Sequence, residues 1–259
     1  LIKEIRSLKD KKFRDKLGVF VLEGVKPVKE GVDFNLPIRE IIVTEKHFSE
    51  FSACNYKVEV VSEEVFDSIS EEKVLYLTFD CGYEYENITS EVLDILGEKG
   101  IKTTFFCTMT YLRSCPEVVA RMIAEGHNVG NHSLSHPSNC AALSREELAR
   151  EALAVENYLR VNFGYSSKYF RFPGGVYSEN AVELLRSVGY RSVFWSIAYA
   201  DWDPEDQMGK DKAFQTVTSR LHPGAVILLH STSPDNAAIL ADLIDYAIEQ
   251  GYQFRSLDE

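Results

Sequence analysis

Asp80 ends the apolar run VLYLTF and is followed at once by Cys81 and Gly82. A carboxylate at the tip of a core strand, beside a flexible glycine, sits where barrels of parallel strands collect their catalytic groups. Taken alone, Asp80 reads first as the start of a turn. Four more apolar segments end the same way. HNVGNH runs into His132 and His136, YFRFP carries Arg171, SVFWSIAYAD reaches Asp201, and AVILLH closes on His230. Core packing explains such ends poorly, because buried ionisable side chains need partners. Their recurrence points to one shared cleft.

Each group suggests a task. His132 and His136 stand in H-x-x-x-H spacing, which lets two imidazoles turn to one point, and imidazole suits zinc and similar divalent metals. Surface histidines are the plainer explanation of that pair. Asp80 at a strand end favours the metal. His230 is a candidate general acid if a neighbouring carboxylate such as Asp201 keeps it protonated near neutral pH; the alternative is a satisfied histidine at the edge of the core. Arg171 can orient Asp80 through paired hydrogen bonds. The glycines after it leave backbone N–H groups able to approach an oxyanion. Trp202 offers a flat apolar wall or a packing aromatic.

Positioning these groups takes a long alternation of strands and helices. From Val74 the expected order begins with VLYLTFD, a helix over Thr89–Lys99 begun by a capping threonine, and strand KTTFFCTM. A helix at Pro116–Glu125 and the short HNVGNH segment follow, then a long helix opened by the capping box of Ser144 and Glu147. Next come YFRFP, a helix over Ser178–Gly189, SVFWSI, a helix near Asp211–Arg220, AVILLH, a helix to Gln250 and a last strand in YQFRSL. Such alternation means α/β with a parallel sheet, and about seven repeats favour a (β/α) barrel over an open doubly wound sheet. No G-x-G-x-x-G or phosphate-loop pattern follows the first strand, and no G-x-S-x-G elbow precedes a helix.

Residues 1–70 read as a separate small α/β unit. A basic start gives way at Gly18 to the apolar run VFVLEG. A helix follows from about Val25, then strands in IREIIVT and VEVV and a capped helix after Ser62. The cluster Lys9, Lys11, Lys12, Arg14 and Lys16 reads first as a solvated helix face and second as a phosphate contact. These 70 residues hold 12 basic and 13 acidic side chains, so −11 of the formal net charge of −12 belongs to the rest. That balance disfavours general nucleic-acid binding by the whole chain. No run is long and apolar enough for a membrane span, and no signal-peptide pattern opens the sequence, which begins at Leu1. Five cysteines (Cys54, Cys81, Cys107, Cys115, Cys140) without C-x-x-C spacing read as buried free thiols.

Two resemblances emerge from these motifs. From about Lys73 to the C-terminus the chain resembles a polysaccharide deacetylase (NodB homology) domain, through TFDCG, HSLSH, RFPGG, ADW and LLH in that family's order. The blocks TFDCGYE, GHNVGNHSLSHP and VFWSIAYADW look closest to the PdaA-type δ-lactam-biosynthetic de-N-acetylases. The resemblance implies a carbohydrate de-N-acetylase, with N-acetylmuramic acid of peptidoglycan as the first expected substrate and chitooligosaccharides as the alternative. It implies Asp80 as the base that activates water and His132 and His136 as holders of a divalent metal, with zinc the first expectation. Arg171 would position Asp80, Asp201 would tune the acid His230, Gly174 N–H would bind the oxyanion, and Leu228 with Trp202 would line the acetyl pocket. Two positions depart from the family pattern. Cys81 replaces a second, metal-binding aspartate, and could ligate or point into the core; Gly174 replaces an aromatic residue, so the pocket should be more open. Residues 1–70 resemble the substrate-binding domain of SpoU/TrmH RNA ribose methyltransferases, through KFRDKLGVFVLEGVKPVKE, PIREIIVTE and VSEEVFDSIS. That resemblance implies an L30e-like fold, RNA contact and a cytoplasmic place, whereas the deacetylase half implies the cell wall. A third reading is an RNA-interacting protein with a degenerate deacetylase scaffold.

Overall fold

The computed structural model describes residues 1–8, 11–19, 21, 25–69 and 73–259. They divide into two compact units, Leu1–Val74 with His222–Gly224, and Leu75–Leu221 with Ala225–Glu259. No described helix is long and apolar enough to cross a membrane.

The smaller unit contains α1 (Ile2–Ser7), α2 (Lys11–Leu17), α3 (Val25–Asp33), β1 (Ile41–Thr44), α4 (Glu45–Phe51), β2 (Val58–Val61) and α5 (Glu63–Ile69). β1 and β2 pair in parallel, with Ile41 opposite Val58. Its core is small: Ile41, Val43 and Phe51 are buried, with Val25, Val32, Ile38 and Val58 packed around them. α5 starts as its sequence suggests, Ser62 Oγ accepting from Val65 N–H at 3.3 Å. α2 carries Arg14 and Lys16 in its last turn, where cations complement the helix dipole. Most of VFVLEG, and Lys9 of the basic cluster, lie outside the described residues.

The larger unit is organised on strands β3 (Val74–Cys81), β4 (Thr104–Cys107), β5 (Asn128–Asn131), β6 (Tyr169–Phe170), β7 (Arg191–Ser192), β8 (Ala225–His230) and β9 (Gln253–Phe254). Between them run α6 (Ile88–Lys99), α7 (Met109–Ser114), α8 (Pro116–Ala124), α9 (Arg145–Phe163), α10 (Glu179–Ser187), α11 (Lys210–Thr218) and α12 (Pro234–Glu249). The sheet order is β7-β6-β5-β4-β3-β8, with β9 added to β3. The pairs β3–β4, β3–β8, β4–β5, β5–β6 and β6–β7 are parallel.

The sheet curls until its edges meet through one irregular segment. Val193 N–H donates to Phe170 O at 2.9 Å, while Ser196 N–H reaches Val226 O at 3.0 Å and Leu228 N–H reaches Ile197 O at 2.9 Å. The expected strand SVFWSI is therefore regular only at Arg191–Ser192, with a single bridge from Ile197 to Ile227. Spanning the closure bends the chain between its two partners, which costs it a continuous ladder.

Strand alternation sorts the side chains. Leu75, Leu77, Phe79 and Cys81 of β3, with Ile227 and Leu229 of β8, join the core under the helices. Thr78, Asp80, Leu228 and His230 take the other face, inside the curl. Phe106 lies there too, and it explains Gly130: a Cβ at Gly130 would fall 2.4 Å from the Phe106 ring. Overpacking of this kind costs about 1–3 kcal/mol. Gly130→Ala is expected to lower stability by that much in denaturant unfolding, and an unchanged midpoint would show that the ring yields freely.

Helix starts follow local chemistry with one correction. α9 has the full capping box, Glu147 N–H to Ser144 Oγ at 3.2 Å and Ser144 N–H to Glu147 Oε2 at 2.8 Å. α6 is not capped by Thr89. Its N-cap is Asn87 in the left-handed conformation, and the Glu84 carboxylate accepts from Thr89 N–H at 3.1 Å instead. A negatively charged acceptor at a helix start serves the free amides and the dipole together.

Candidate active site

The carboxyl ends of β3, β5, β6 and β8 bring most of the expected residues together. Asp80 is 5% exposed and Arg171 fully buried, and Arg171 Nη1 donates to Asp80 Oδ1 at 2.8 Å. The contact is single, not paired, because Arg171 Nε turns away to Val193 O at 3.3 Å. The guanidinium lies over the Phe106 ring, 4.0 Å from its centroid, with Trp195 at 5.6 Å. Two aromatic faces thus help hold a cation that burial would otherwise penalise.

His132 approaches Asp80 from the other side, Nε2 to Oδ2 at 3.4 Å. Its Nδ1 is 2.9 Å from Arg171 O. A carbonyl only accepts, so Nδ1 carries the proton. Burial pulls the His132 pKa down against the opposing pull of Asp80, which keeps the ring neutral and Nε2 unprotonated. For Asp80, burial favours the acid form, but Arg171, His132 and His230 outweigh it and hold its pKa below the usual carboxylate value. Burial lowers Arg171 as well, from a value so high that it stays charged.

Two lone pairs, one on an ionised oxygen, therefore face each other across 3.4 Å with no proton between them. The unprotonated His132 Nε2, beside that ionised oxygen, fits a divalent cation, and the carbonyl bond to Nδ1 is the outer support such a ligand needs. His136 stands next to it, ring centroids 4.9 Å apart and edge to face. The three do not converge into a compact cage, and no set of three His, Cys, Asp or Glu does so among the described residues. Cys81 does not join them. It is fully buried in the helix-side core, accepts from Ser231 Oγ at 3.2 Å, and lies beside Cys107 in the strand register. Period-two alternation makes the residue after Asp80 face away from it.

His230 and Asp201 form a second cluster. Asp201 Oδ1 accepts from His230 Nδ1 at 2.7 Å and Oδ2 from His230 N–H at 2.8 Å. Burial works against the imidazolium, but the Asp201 hydrogen bond and charge, with Asp80, raise the His230 pKa above 6.5. Asp80 and His230 are register neighbours on β3 and β8, so base and acid candidates stand side by side. Trp202 is 58% exposed with its ring 6.1 Å from His230. Leu228 is buried inside the curl. Gly174 is exposed and takes φ 59°, and Gly175 takes φ 70° with the Trp195 ring 2.9 Å from where a Cβ would stand. Only glycine suits Gly175 on both counts.

Several supporting residues escaped the sequence reading. Asn236, fully buried near the start of α12, donates to Asp201 Oδ2 at 2.6 Å and to His230 O at 3.0 Å, and accepts from Tyr199 OH at 2.6 Å. The only available signal was a polar residue on the apolar face of an otherwise hydrophobic helix. Phe106 and Trp195 looked like ordinary strand aromatics.

A buried carboxylate kept ionised beside the neutral imidazole of His132, next to a histidine whose pKa Asp201 raises, is equipped to hydrolyse an amide with water. Comparison with known proteins agrees with that class. The polysaccharide deacetylase family matches residues 67–193. The chain is 39% identical over 191 residues to Bacillus subtilis peptidoglycan-N-acetylmuramic acid deacetylase PdaA, spanning 73% of this chain and 72% of that protein. It is 31% identical to a chitooligosaccharide deacetylase of Sinorhizobium fredii, spanning 71% and 90%. The solved structure of B. subtilis PdaA, described as a family 4 carbohydrate esterase, superposes with a TM-score of 0.69 at 39% identity, covering 72% of this chain and 80% of that one. The chain belongs to the polysaccharide deacetylase family, enzymes that hydrolyse carbon–nitrogen bonds other than peptide bonds, with a divalent metal as the family's cofactor. Residues 1–74 match the MRM3-like substrate binding domain, in accord with the SpoU/TrmH resemblance.

Proposed function

We propose that this protein removes the N-acetyl group from N-acetylmuramic acid in peptidoglycan and thus acts on the cell wall. The observation that carries the chemistry is the pairing of Asp80, hydrogen-bonded by Arg171 Nη1 at 2.8 Å, with His230, whose Nδ1 donates to Asp201 Oδ1 at 2.7 Å. Similarity to PdaA supports the substrate.

Asp80 takes the proton of the attacking water, and its ionised state over the neutral range keeps it ready to do so. His132 and His136 would hold zinc or another divalent cation, which when bound would supply Lewis acidity to the amide carbonyl. Gly174 N–H donates to the oxyanion as it forms. His230 Nε2 then protonates the leaving nitrogen, and Asp201 stabilises the imidazolium until it does. Leu228 and the exposed Trp202 flank the acetyl methyl, and the absence of a side chain at Gly174 leaves room for a bulky sugar substituent.

Acetate release from peptide-stripped peptidoglycan tests the reading. Release is expected to stop with a chelator and return with added zinc, at a rate well above that on chitin oligomers. Faster release from chitin oligomers would move the substrate to the second relative's class, and no release from either would end the proposal.

The match of residues 1–74 favours a second proposal, that the smaller unit contacts RNA. Salt-sensitive retention of structured RNA by the whole chain is the expected result. Retention without any acetate release would favour an RNA-interacting protein on a degenerate scaffold.

A further inference from the structure

Glu151 is a buried acid that none of this chemistry uses. It belongs to the inward stripe of α9, with Leu148, Ala152, Val155 and Leu159, and is 5% exposed. A carboxylate there is costly unless hydrogen-bonded. Both of its oxygens go to one residue: Oε2 accepts from Ser135 N–H at 2.8 Å and Oε1 from the Ser135 hydroxyl at 2.8 Å. Ser135 lies between His132 and His136.

We propose that Glu151 is a positioning residue that clamps the H-x-x-x-H loop so that its two imidazoles address one cation, and thereby sets the cation affinity of the site. The inference rests on the two-histidine cation reading above.

The loop needs such a clamp. Ser133 and His136 adopt φ 73° and 52°, a conformation that non-glycine residues keep only where their surroundings impose it. Besides Met109 N–H, which donates to Ser133 O at 3.1 Å, the loop is otherwise held by a chain of single bonds. His136 N–H donates to Ser133 Oγ at 3.0 Å, and Ser133 N–H to Asn131 Oδ1 at 2.9 Å. Asn131 Nδ2 donates to Ala152 O at 2.9 Å and to Tyr190 OH at 2.8 Å. Adjacent residues of α9, Glu151 and Ala152, thus grip the loop near its two ends. Ser135 and His136 are themselves exposed, and only the partly buried Leu134 before them packs against the core, so hydrogen bonds carry much of the hold at that end. A carboxylate suits the task because it offers only acceptors, and bonds to a charged acceptor are the stronger kind.

The test compares metal-free wild type with Glu151→Leu, Glu151→Gln, Ser135→Ala and His132→Ala. Zinc affinity is read by competition with a chromogenic chelator, and loop order by amide hydrogen exchange over residues 131–138 without metal. Glu151→Leu is expected to weaken zinc about 10- to 100-fold and to speed exchange at Ser135 and His136, with the exchange of β3 and β8 unchanged. Glu151→Gln, which keeps an acceptor for Ser135 N–H, should fall between it and wild type, as should Ser135→Ala. Wild-type affinity and wild-type loop exchange in Glu151→Leu would overturn the inference. If that variant does not fold, wild-type values in both milder variants overturn it equally. Equal zinc binding by wild type and His132→Ala would overturn the cation reading itself, and the loop exchange still decides for or against the clamp.

Discussion

Asp80→Asn lowers kcat/KM for acetate release on the order of 100- to 10,000-fold, the usual worth of a positioned general base. Asparagine keeps the shape and one acceptor for Arg171 Nη1, which in the native protein lies 2.8 Å from Asp80 Oδ1. It cannot take a proton from water. It also leaves a fully buried guanidinium without its counter-charge, and breaking a buried pair costs up to about 3–5 kcal/mol. The stacking of Arg171 on Phe106 and the surviving hydrogen bond should keep the loss below that range. Rate and thermal midpoint therefore have to be measured on the same samples. A folded Asp80→Asn protein with near-native acetate release would remove Asp80 from the chemistry altogether.

Asp201→Asn is the second large effect, and it has a direction in pH. The proposed mechanism needs Asp80 ionised, His132 neutral and His230 protonated. Asp80 lies below 3.8 and burial holds His132 below 6.5, so the acid limb of kcat/KM is expected below the ordinary histidine value. His230 lies above 6.5, so activity persists past that pH and falls only as the imidazolium is lost. Removing the Asp201 charge leaves burial to dominate at His230. The alkaline limb should move toward acid, with activity at the new optimum also reduced, again within the 100- to 10,000-fold worth of an acid catalyst. The acid limb should stay in place, because Asp201 has no bond to Asp80 or His132. An unmoved alkaline limb would assign it to some other group. Asn236 keeps Asp201 Oδ2 in place, so its hydrogen bond should survive the substitution and limit any structural disturbance.

The two effects differ in kind, which makes them separable. Loss of Asp80 removes a proton acceptor at every pH, whereas loss of Asp201 mainly changes where the donor titrates. A variant carrying both should show the rate of the first and no resolvable limb from the second.

The order of the elements was legible in the chain because each rests on local rules. The capping box at Ser144, Pro116 at the first turn of α8 and the apolar runs of β3 and β8 are short-range facts. So was the list of polar strand ends, since strands of one parallel sheet open on a common edge. The fate of Cys81 was not legible. Whether a residue after a strand tip turns to the cleft or to the core depends on how far the strand continues, and β3 runs one residue past Asp80. The pairing partners belonged to tertiary structure as well. Arg171 and Asp80 are 91 residues apart, Asn236 and Asp201 are 35 apart, and no periodicity connects such positions. Glu151 stood in plain view as an acid in an apolar stripe, but only the folded chain shows Ser135 beneath it. Sequence alone determined which side chains are offered at the mouth of the sheet, because strand and helix patterns are local. The tertiary structure decided which of them meet, because proximity across a curled sheet is set by register and packing.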